Sequence, residues 1–269
     1  MGPVKGLSFA KGQGTGNDFV IVPDPDGELM LPPELVAALC DRRFGIGGDG
    51  VLRVVRTAHV AEVADRAGEA EWFMDYRNAD GSIAEMCGNG VRVYARYLVE
   101  SGLAAGSEIP ILTRAGLVRA EIGREAIAVT LAAPRLGGRS AARVSTVEYE
   151  GTMVDCGNPH LVTFTGPLST LDLTGTPALD PVDFPEGGNV EFVHRVDDGH
   201  VEMRVIERGV GETLSCGSGA CAAAAVALDG QPGTMIVDVP GGRLTVTISA
   251  EACVLSGPAF IVAEGIAAY

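Results

Sequence analysis

Lysine is nearly missing from this 269-residue chain: of its twenty cationic side chains only Lys5 and Lys11 are lysine, and the rest are arginine. Pyridoxal-phosphate chemistry needs a lysine for its Schiff base. Neither of these two stands in a setting that suits the role, so no cofactor is expected. A basic block is missing too. The net charge of −15 argues against nucleic acid, whose binding draws on cationic side chains that displace phosphate counterions. The longest strongly apolar run, Ala220 to Leu228, is too short to cross a bilayer, so no membrane partner is expected. Met1 to Asn17 holds no apolar signal core, which predicts a cytoplasmic protein with reduced thiols. None of the six cysteines forms a C-x-x-C pair, and His59, His194 and His200 lack metal-ligand spacing, so no metal site is expected. Aromatic residues make up 5% of the chain, against 46% hydrophobic residues and 37 glycines. Sizeable cores and many tight turns follow from that balance.

What is present is a duplication. Glu85-Met86-Cys87-Gly88-Asn89-Gly90 opens a mostly apolar stretch from Val91 to Leu98, and Leu214-Ser215-Cys216-Gly217-Ser218-Gly219 opens another from Ala220 to Leu228. Gly16-Asn17-Asp18-Phe19 and Gly157-Asn158-Pro159-His160 each lead into an apolar strand. The two asparagines are 141 residues apart (158 − 17) and the two cysteines 129 (216 − 87), similar offsets of the kind two homologous halves give. Short apolar runs predict strands at 20–22, 51–55, 70–76, 109–113, 117–122 and 127–131, then at 152–156, 161–164, 189–195, 201–206, 235–239, 243–248 and 253–256. Helices are predicted from Pro32 or Pro33 to Asp41, from Cys87 to near Ser101-Gly102, and from Gly219 to about Leu228. Ala133 to Ser140 reads as a connector, and Ala259 to Gly265 as a strand returning to the first half. The expected fold is α/β (α+β) with two pseudo-symmetric domains, 1–133 plus 259–269 and 134–258. Each is a mixed sheet wrapped around one central apolar helix, and the active site is expected in the cleft between them.

A Cys-Gly-x-Gly turn at a helix start sets a thiol beside unpaired backbone N–H groups, which favour a thiolate and can also hold a carboxylate. Two such thiols facing one carbon suit removal of an α-proton from one side and its return from the other, each sulfur serving as acid or base. The alternative is a pair of inert residues at helix starts, though a cysteine with glycine on its far side is poor helix design. Around the thiols, Arg208 can clamp a carboxylate bidentately and Glu207 can accept from an ammonium group. Asn17, Asn78, Asn89, Asn158 and Asn189 all stand at glycine-rich turns, where an amide both donates and accepts but also serves as an ordinary turn former. His160 can polarise a thiol or be a satisfied structural group. Cys40, Cys156, Cys221 and Cys253 read as small buried hydrophobes. The loop Gly45-Ile46-Gly47-Gly48-Asp49-Gly50 lacks the ending of a phosphate-binding loop.

Taken in order along nearly the whole chain, these motifs resemble diaminopimelate epimerase: Gly14 to Phe19, Arg42 to Gly50, Asn78 to Ser82, Glu85 to Gly90, Gly157 to His160, and Glu207-Arg208-Gly209 through Ala220. The resemblance implies a cofactor-independent isomerase interconverting LL- and meso-2,6-diaminopimelate on the route to lysine and peptidoglycan precursors, with two α/β domains and commonly a homodimer. It implies Cys87 and Cys216 as the acid/base pair, with His160 and Glu207 assisting the thiols. Asn17, Asn78, Asn158, Asn189, Glu207 and Arg208 would hold the distal amino-acid end of the substrate. The N–H groups of Gly88, Asn89, Gly217 and Ser218 would hold the reacting carboxylate. Two positions depart from the family pattern: Gly50 stands where glutamine is frequent, and Ser218 where threonine is commoner. The stretch from Arg56 to Glu71 is a loop of this chain's own. A proline racemase or hydroxyproline epimerase uses the same paired-cysteine logic, but its first motif carries histidine where Asn89 stands here. A phenazine-type isomerase lacks the cysteine pair, and an amino-acid-binding module without turnover is the non-enzymatic alternative.

Overall fold

A computed structural model describes residues 6–268; Lys5 and the first residues of the Met1 to Asn17 segment lie outside the described residues. The chain divides into two compact units, residues 1–129 with 258–269 and residues 130–257.

In unit 1, Phe260–Ala267 pairs antiparallel with Leu7–Gly14, which pairs antiparallel with Asn17–Pro23. Next comes Gly50–Arg56, parallel to Asn17–Pro23, and then Trp72–Asn78, antiparallel to it. Glu108–Thr113 runs parallel to Trp72–Asn78 and antiparallel to Gly116–Ile122. Each parallel step needs a crossover. The first contains helix α1 (Pro33–Cys40), with Pro33 at its opening turn, and the second contains helix α2 (Gly88–Glu100).

Unit 2 repeats this scheme. Arg135–Val144, Val147–Asp155 and Pro159–Phe164 pair antiparallel in turn. Asn189–Asp197 is parallel to the last of these, and His200–Glu207 is antiparallel to Asn189–Asp197. Gly233–Val239 is parallel to His200–Glu207, followed by antiparallel Gly242–Ile248 and Ala252–Gly257. Helix α3 (Gly217–Ala227) occupies the crossover that matches the one holding α2. Both units thus run antiparallel, antiparallel, parallel, antiparallel, parallel, antiparallel, with a cysteine-capped helix before the second parallel step.

The cores explain the apolar helices. In α3, Ala220, Ala222, Ala223 and Ala224 are fully buried and pack with Val193, Val201, Val237, Val246 and Leu255. A helix with small side chains on every face lets the strands approach from all round. In α2 the bulkier Val93, Tyr94 and Leu98 are fully buried, and the Tyr94 hydroxyl donates to the Phe73 carbonyl at 2.9 Å.

Several elements differ from the sequence reading. The stretch from Ala133 to Ser140 is mostly strand, Arg135–Val144, in a hairpin with Val147–Asp155. Its arginines, glycines and serine carry no alternating apolar signal, because most of its first half is exposed. Leu7–Gly14 is also a strand, and α3 begins at Gly217 because Cys216 caps it. The loop from Arg56 to Glu71 forms two short 3-10 turns; Val63 and Ala70 pack on Val55, Phe73 and Leu112, and Glu62 pairs with Arg114 at 2.6 Å. That segment is therefore anchored to the core of unit 1. The final strand does return to the first half. Among the described residues, no helix is long and apolar enough to cross a membrane.

Candidate active site

The two cysteines are built alike. Cys87 is the N-cap of α2 with extended backbone (φ −144°, ψ 118°), and Cys216 is the N-cap of α3 (φ −119°, ψ 118°). Each sulfur takes the place a serine or aspartate oxygen fills in an ordinary cap. Cys87 Sγ accepts from the Gly90 N–H and Cys216 Sγ from the Gly219 N–H, both at 3.4 Å. The first-turn N–H groups of Gly88, Asn89, Gly217 and Ser218 point out of the helix starts, with the positive end of the helix dipole behind them.

In unit 1, Cys87 Sγ lies 3.6 Å from Asn17 Oδ1 as donor, and Asn89 Nδ2 donates to the same oxygen at 3.3 Å. Asn17 Nδ2 donates to Asp49 Oδ2 at 2.7 Å. Sequence reading gives Asp49 no site role of its own: its glycine-rich loop lacks a phosphate-binding ending and enters only as part of the Arg42 to Gly50 motif of the resemblance. The fully buried Arg92 donates to Asn89 Oδ1 at 2.9 Å and to Thr15 Oγ1 at 3.3 Å. Lys11 pairs with Asp18 and donates to the Gly47 carbonyl, and Arg42 pairs with both Asp18 and Asp49. Burial opposes ionisation of Asp18, but Arg42 and Lys11 prevail and hold its carboxyl at about 2. Asn78 ends its strand opposite Gly50 and donates to Ser82 Oγ at 3.0 Å. Beneath the cysteine the surroundings are apolar. A Cβ on Gly90 would touch Leu52 at 3.4 Å and Phe19 at 3.5 Å, and Phe19 stacks edge-on against Tyr76.

In unit 2 the corresponding space holds polar side chains. His160 and Glu191 are both fully buried, with Nδ1 and Oε1 2.7 Å apart. His160 Nε2 donates to Asn158 Oδ1 at 3.0 Å. Glu191 is the principal site residue that sequence reasoning missed. Its carboxylate reaches the Cys216 turn, since a Cβ on Gly219 would lie 2.6 Å from Glu191 Oε1. The link from His160 to Cys216 therefore runs through Glu191. Burial pushes the Cys216 thiol up, and the Glu207 and Glu191 carboxylates push the same way, against hydrogen bonds from Ser218 and the Gly219 N–H. Asn189 Oδ1 accepts from the Arg208 N–H at 2.9 Å, and Glu207 accepts from the Thr213 hydroxyl. The Arg208 side chain reaches the Glu186 carbonyl at 3.4 Å. A cavity of about 380 Å³ is lined by Arg135, Asp155, Asn158 and His160, and one of about 590 Å³ by Gly188, Ile206, Glu207 and Arg208. Among the described residues no cluster of histidine, cysteine and carboxylate is arranged to hold a metal. Of the four cysteines read as buried hydrophobes, Cys40, Cys221 and Cys253 are buried and Cys156 is half-buried.

Comparison with known proteins agrees with this geometry. A sequence profile described as diaminopimelate epimerase matches residues 9–136 and 152–262. The diaminopimelate epimerase of Thermobifida fusca is 52% identical over 266 residues, covering 96% of this chain and 97% of that protein. That of Streptomyces coelicolor is 50% identical, covering 96% and 94%. Among solved structures, a phenazine biosynthesis protein of the PhzF family from Bacillus anthracis has a TM-score of 0.70 at 18% identity, covering 98% of this chain and 99% of its own. A hydroxyproline epimerase from Agrobacterium vitis has a TM-score of 0.68 at 15% identity, covering 100% and 92%. At such identities these structures share the fold alone; the sequence relatives go further, and this chain belongs to the diaminopimelate epimerase family.

Proposed function

We propose that this chain is a cofactor-independent epimerase that interconverts LL- and meso-2,6-diaminopimelate in the synthesis of lysine and peptidoglycan precursors. The observation that carries the reading is a thiol capping each of two equivalent helices, in a chain that shares half its residues with named diaminopimelate epimerases. One of Cys87 and Cys216, as thiolate, takes the α-proton and becomes a thiol. The other, as thiol, gives its proton to the opposite face of the same carbon and becomes a thiolate. Reversal exchanges the roles, so the apparatus serves both directions. Negative charge gathers on the substrate carboxylate as the proton leaves, and the N–H groups of Gly88, Asn89, Gly217 and Ser218 are the donors that meet it. His160 and Glu207 assist the thiols. Asn17, Asn78, Asn158, Asn189, Glu207 and Arg208 hold the second amino-acid end, Arg208 through the carboxylate and Glu207 through the ammonium group. The same reading places the protein in the cytoplasm as a homodimer.

The test is incubation with LL-diaminopimelate in deuterated water, followed by proton NMR. Deuterium at the reacting α-carbon and appearance of the meso isomer are expected. Tight binding without exchange would leave only a binding module, and exchange on proline but not diaminopimelate would favour the racemase reading.

A further inference from the structure

We propose that Asp49 is a positioning residue for Cys87: its carboxylate fixes the sense of the Asn17 amide, which turns the amide oxygen to the Cys87 sulfur and holds it as S–H. Asp49 Oδ2 accepts from Asn17 Nδ2 at 2.7 Å and from the Asp18 N–H at 3.1 Å, while Oδ1 accepts from Arg42 at 2.7 Å. An ionised carboxylate only accepts, so Asn17 must present its NH₂ there and its oxygen to the other side. On that side the oxygen receives the Cys87 thiol at 3.6 Å and Asn89 Nδ2 at 3.3 Å.

The far end of the chain of bonds carries the same instruction. Arg92 donates to Asn89 Oδ1 at 2.9 Å, and a guanidinium only donates. Asn89 must therefore offer its NH₂ to Asn17. An acceptor-only group at one end and a donor-only group at the other leave the two amides a single consistent orientation. Reversing Asn17 would put its oxygen against a carboxylate and its NH₂ against that of Asn89, each a lost or repulsive contact in a part-buried place. In unit 2 the counterpart asparagine has a different partner, with Asn158 Oδ1 taken by His160 Nε2. The charged and titratable groups around this end of unit 1 include Lys11, Asp18, Cys40, Arg42, Asp49, Tyr76 and Arg92. Of these, Asp49 and Arg92 bond to the two amides. The consequence for the reaction is that Cys87 waits as a proton donor with a defined partner and gives up its proton only when substrate rearranges that bond.

This inference rests on reading Cys87 as an acid/base group, but its test needs no substrate. Iodoacetamide alkylation of Cys87 and Cys216 is followed against pH in substrate-free protein, each site read by peptide mass spectrometry. Asp49→Asn lowers the pH midpoint at Cys87 by about half to one pH unit and leaves Cys216 unchanged. Asp49→Glu restores an acceptor-only group and keeps Cys87 near its original midpoint, which a purely structural role would not distinguish from Asp49→Asn. An unmoved Cys87 in folded Asp49→Asn, or equal shifts in the two variants, overturns the proposal. The Asp49 side chain is 41% exposed, so Asp49→Ser serves the same test if the asparagine variant does not fold. Failure of deuterium exchange with diaminopimelate would sink the proposed function and leave these alkylation midpoints just as readable.

Discussion

Units 1 and 2 share a strand scheme, a capped helix and a cysteine, yet they line their cysteines with different chemistry. The parallel register pairs Phe19 with Gly50 in one and His160 with Asn189 in the other. Phe19 and Leu52 therefore correspond to His160 and Glu191. Where unit 1 has two apolar side chains under its helix start, unit 2 has a buried, hydrogen-bonded His160–Glu191 pair. The loop before the third matching strand differs in the same sense, with Asp49 in unit 1 and Gly188 in unit 2. Duplication preserved the backbone that presents a thiol at a helix N-terminus. The side chains then diverged until one sulfur is governed by a directed amide and the other by burial and carboxylates. A symmetric frame with unsymmetrical surroundings is suited to a substrate whose two faces at one carbon must be handled by separate groups.

The largest expected effect tests the likeness. Cys87→Ser and Cys216→Ser should each reduce turnover by about 10²- to 10⁴-fold while substrate binding, followed by calorimetry, persists; a near-normal rate in either breaks the equivalence. The next tests the difference. Glu191→Leu copies unit 1 at one position and strands His160, costing about 3–5 kcal/mol in urea denaturation. The double variant His160→Phe with Glu191→Leu should recover most of that stability but not the turnover. Equal instability of single and double variants would mean that the pair is not what the position requires. A smaller contrast concerns the matching glycines. Gly219→Ala drives a methyl to 2.6 Å from Glu191 Oε1, whereas Gly90→Ala meets only contacts of 3.3 Å or more. The first should cost about 1–3 kcal/mol; the second should stay near zero, because helix propensity favours alanine. Thermal melts of the two variants compare them directly.

The smallest effect lies at Asp18, whose counterpart in unit 2 is Pro159. Its folded value of about 2 lies below the ordinary 3.8. The stability it adds is therefore fully present above about pH 4 and is lost as pH falls through about 2. Wild type should exceed Asp18→Asn in stability at neutral pH and converge with it across that window. A gap that persists at pH 2 would assign the difference to packing.

Much of this was legible in the sequence because duplication writes local signals twice. The Cys-Gly-x-Gly turns, the Gly-Asn strand openings and the return of the last strand all follow from short motifs and apolar runs. Glu191 was not legible in isolation. Within Asn189-Val190-Glu191-Phe192-Val193 a lone carboxylate looks like the solvent face of a strand, and its partner His160 lies on a parallel neighbour 31 residues away. Superposing the halves supplies the missing signal: a charged residue set against Leu52 and a histidine set against Phe19 must be partners to be buried. Asp49 escaped for another reason. A carboxylate in a glycine-rich loop carries no local signal of a role in orienting a neighbouring amide. The hairpin from Arg135 to Asp155 escaped because exposed strands need no apolar alternation.

The pairing of Phe260–Ala267 with Leu7–Gly14 has a consequence for how the polypeptide is made. Residues 130–257 are continuous, so on the ribosome that half can reach its native form as soon as it emerges. The other half lacks the Phe260–Ala267 strand until the chain has passed residue 267, and the contact that completes it joins Leu7 to Ala267. Termination near residue 258 would therefore spare the later-encoded half and leave the earlier-encoded one with an open sheet border that can template pairing with another chain.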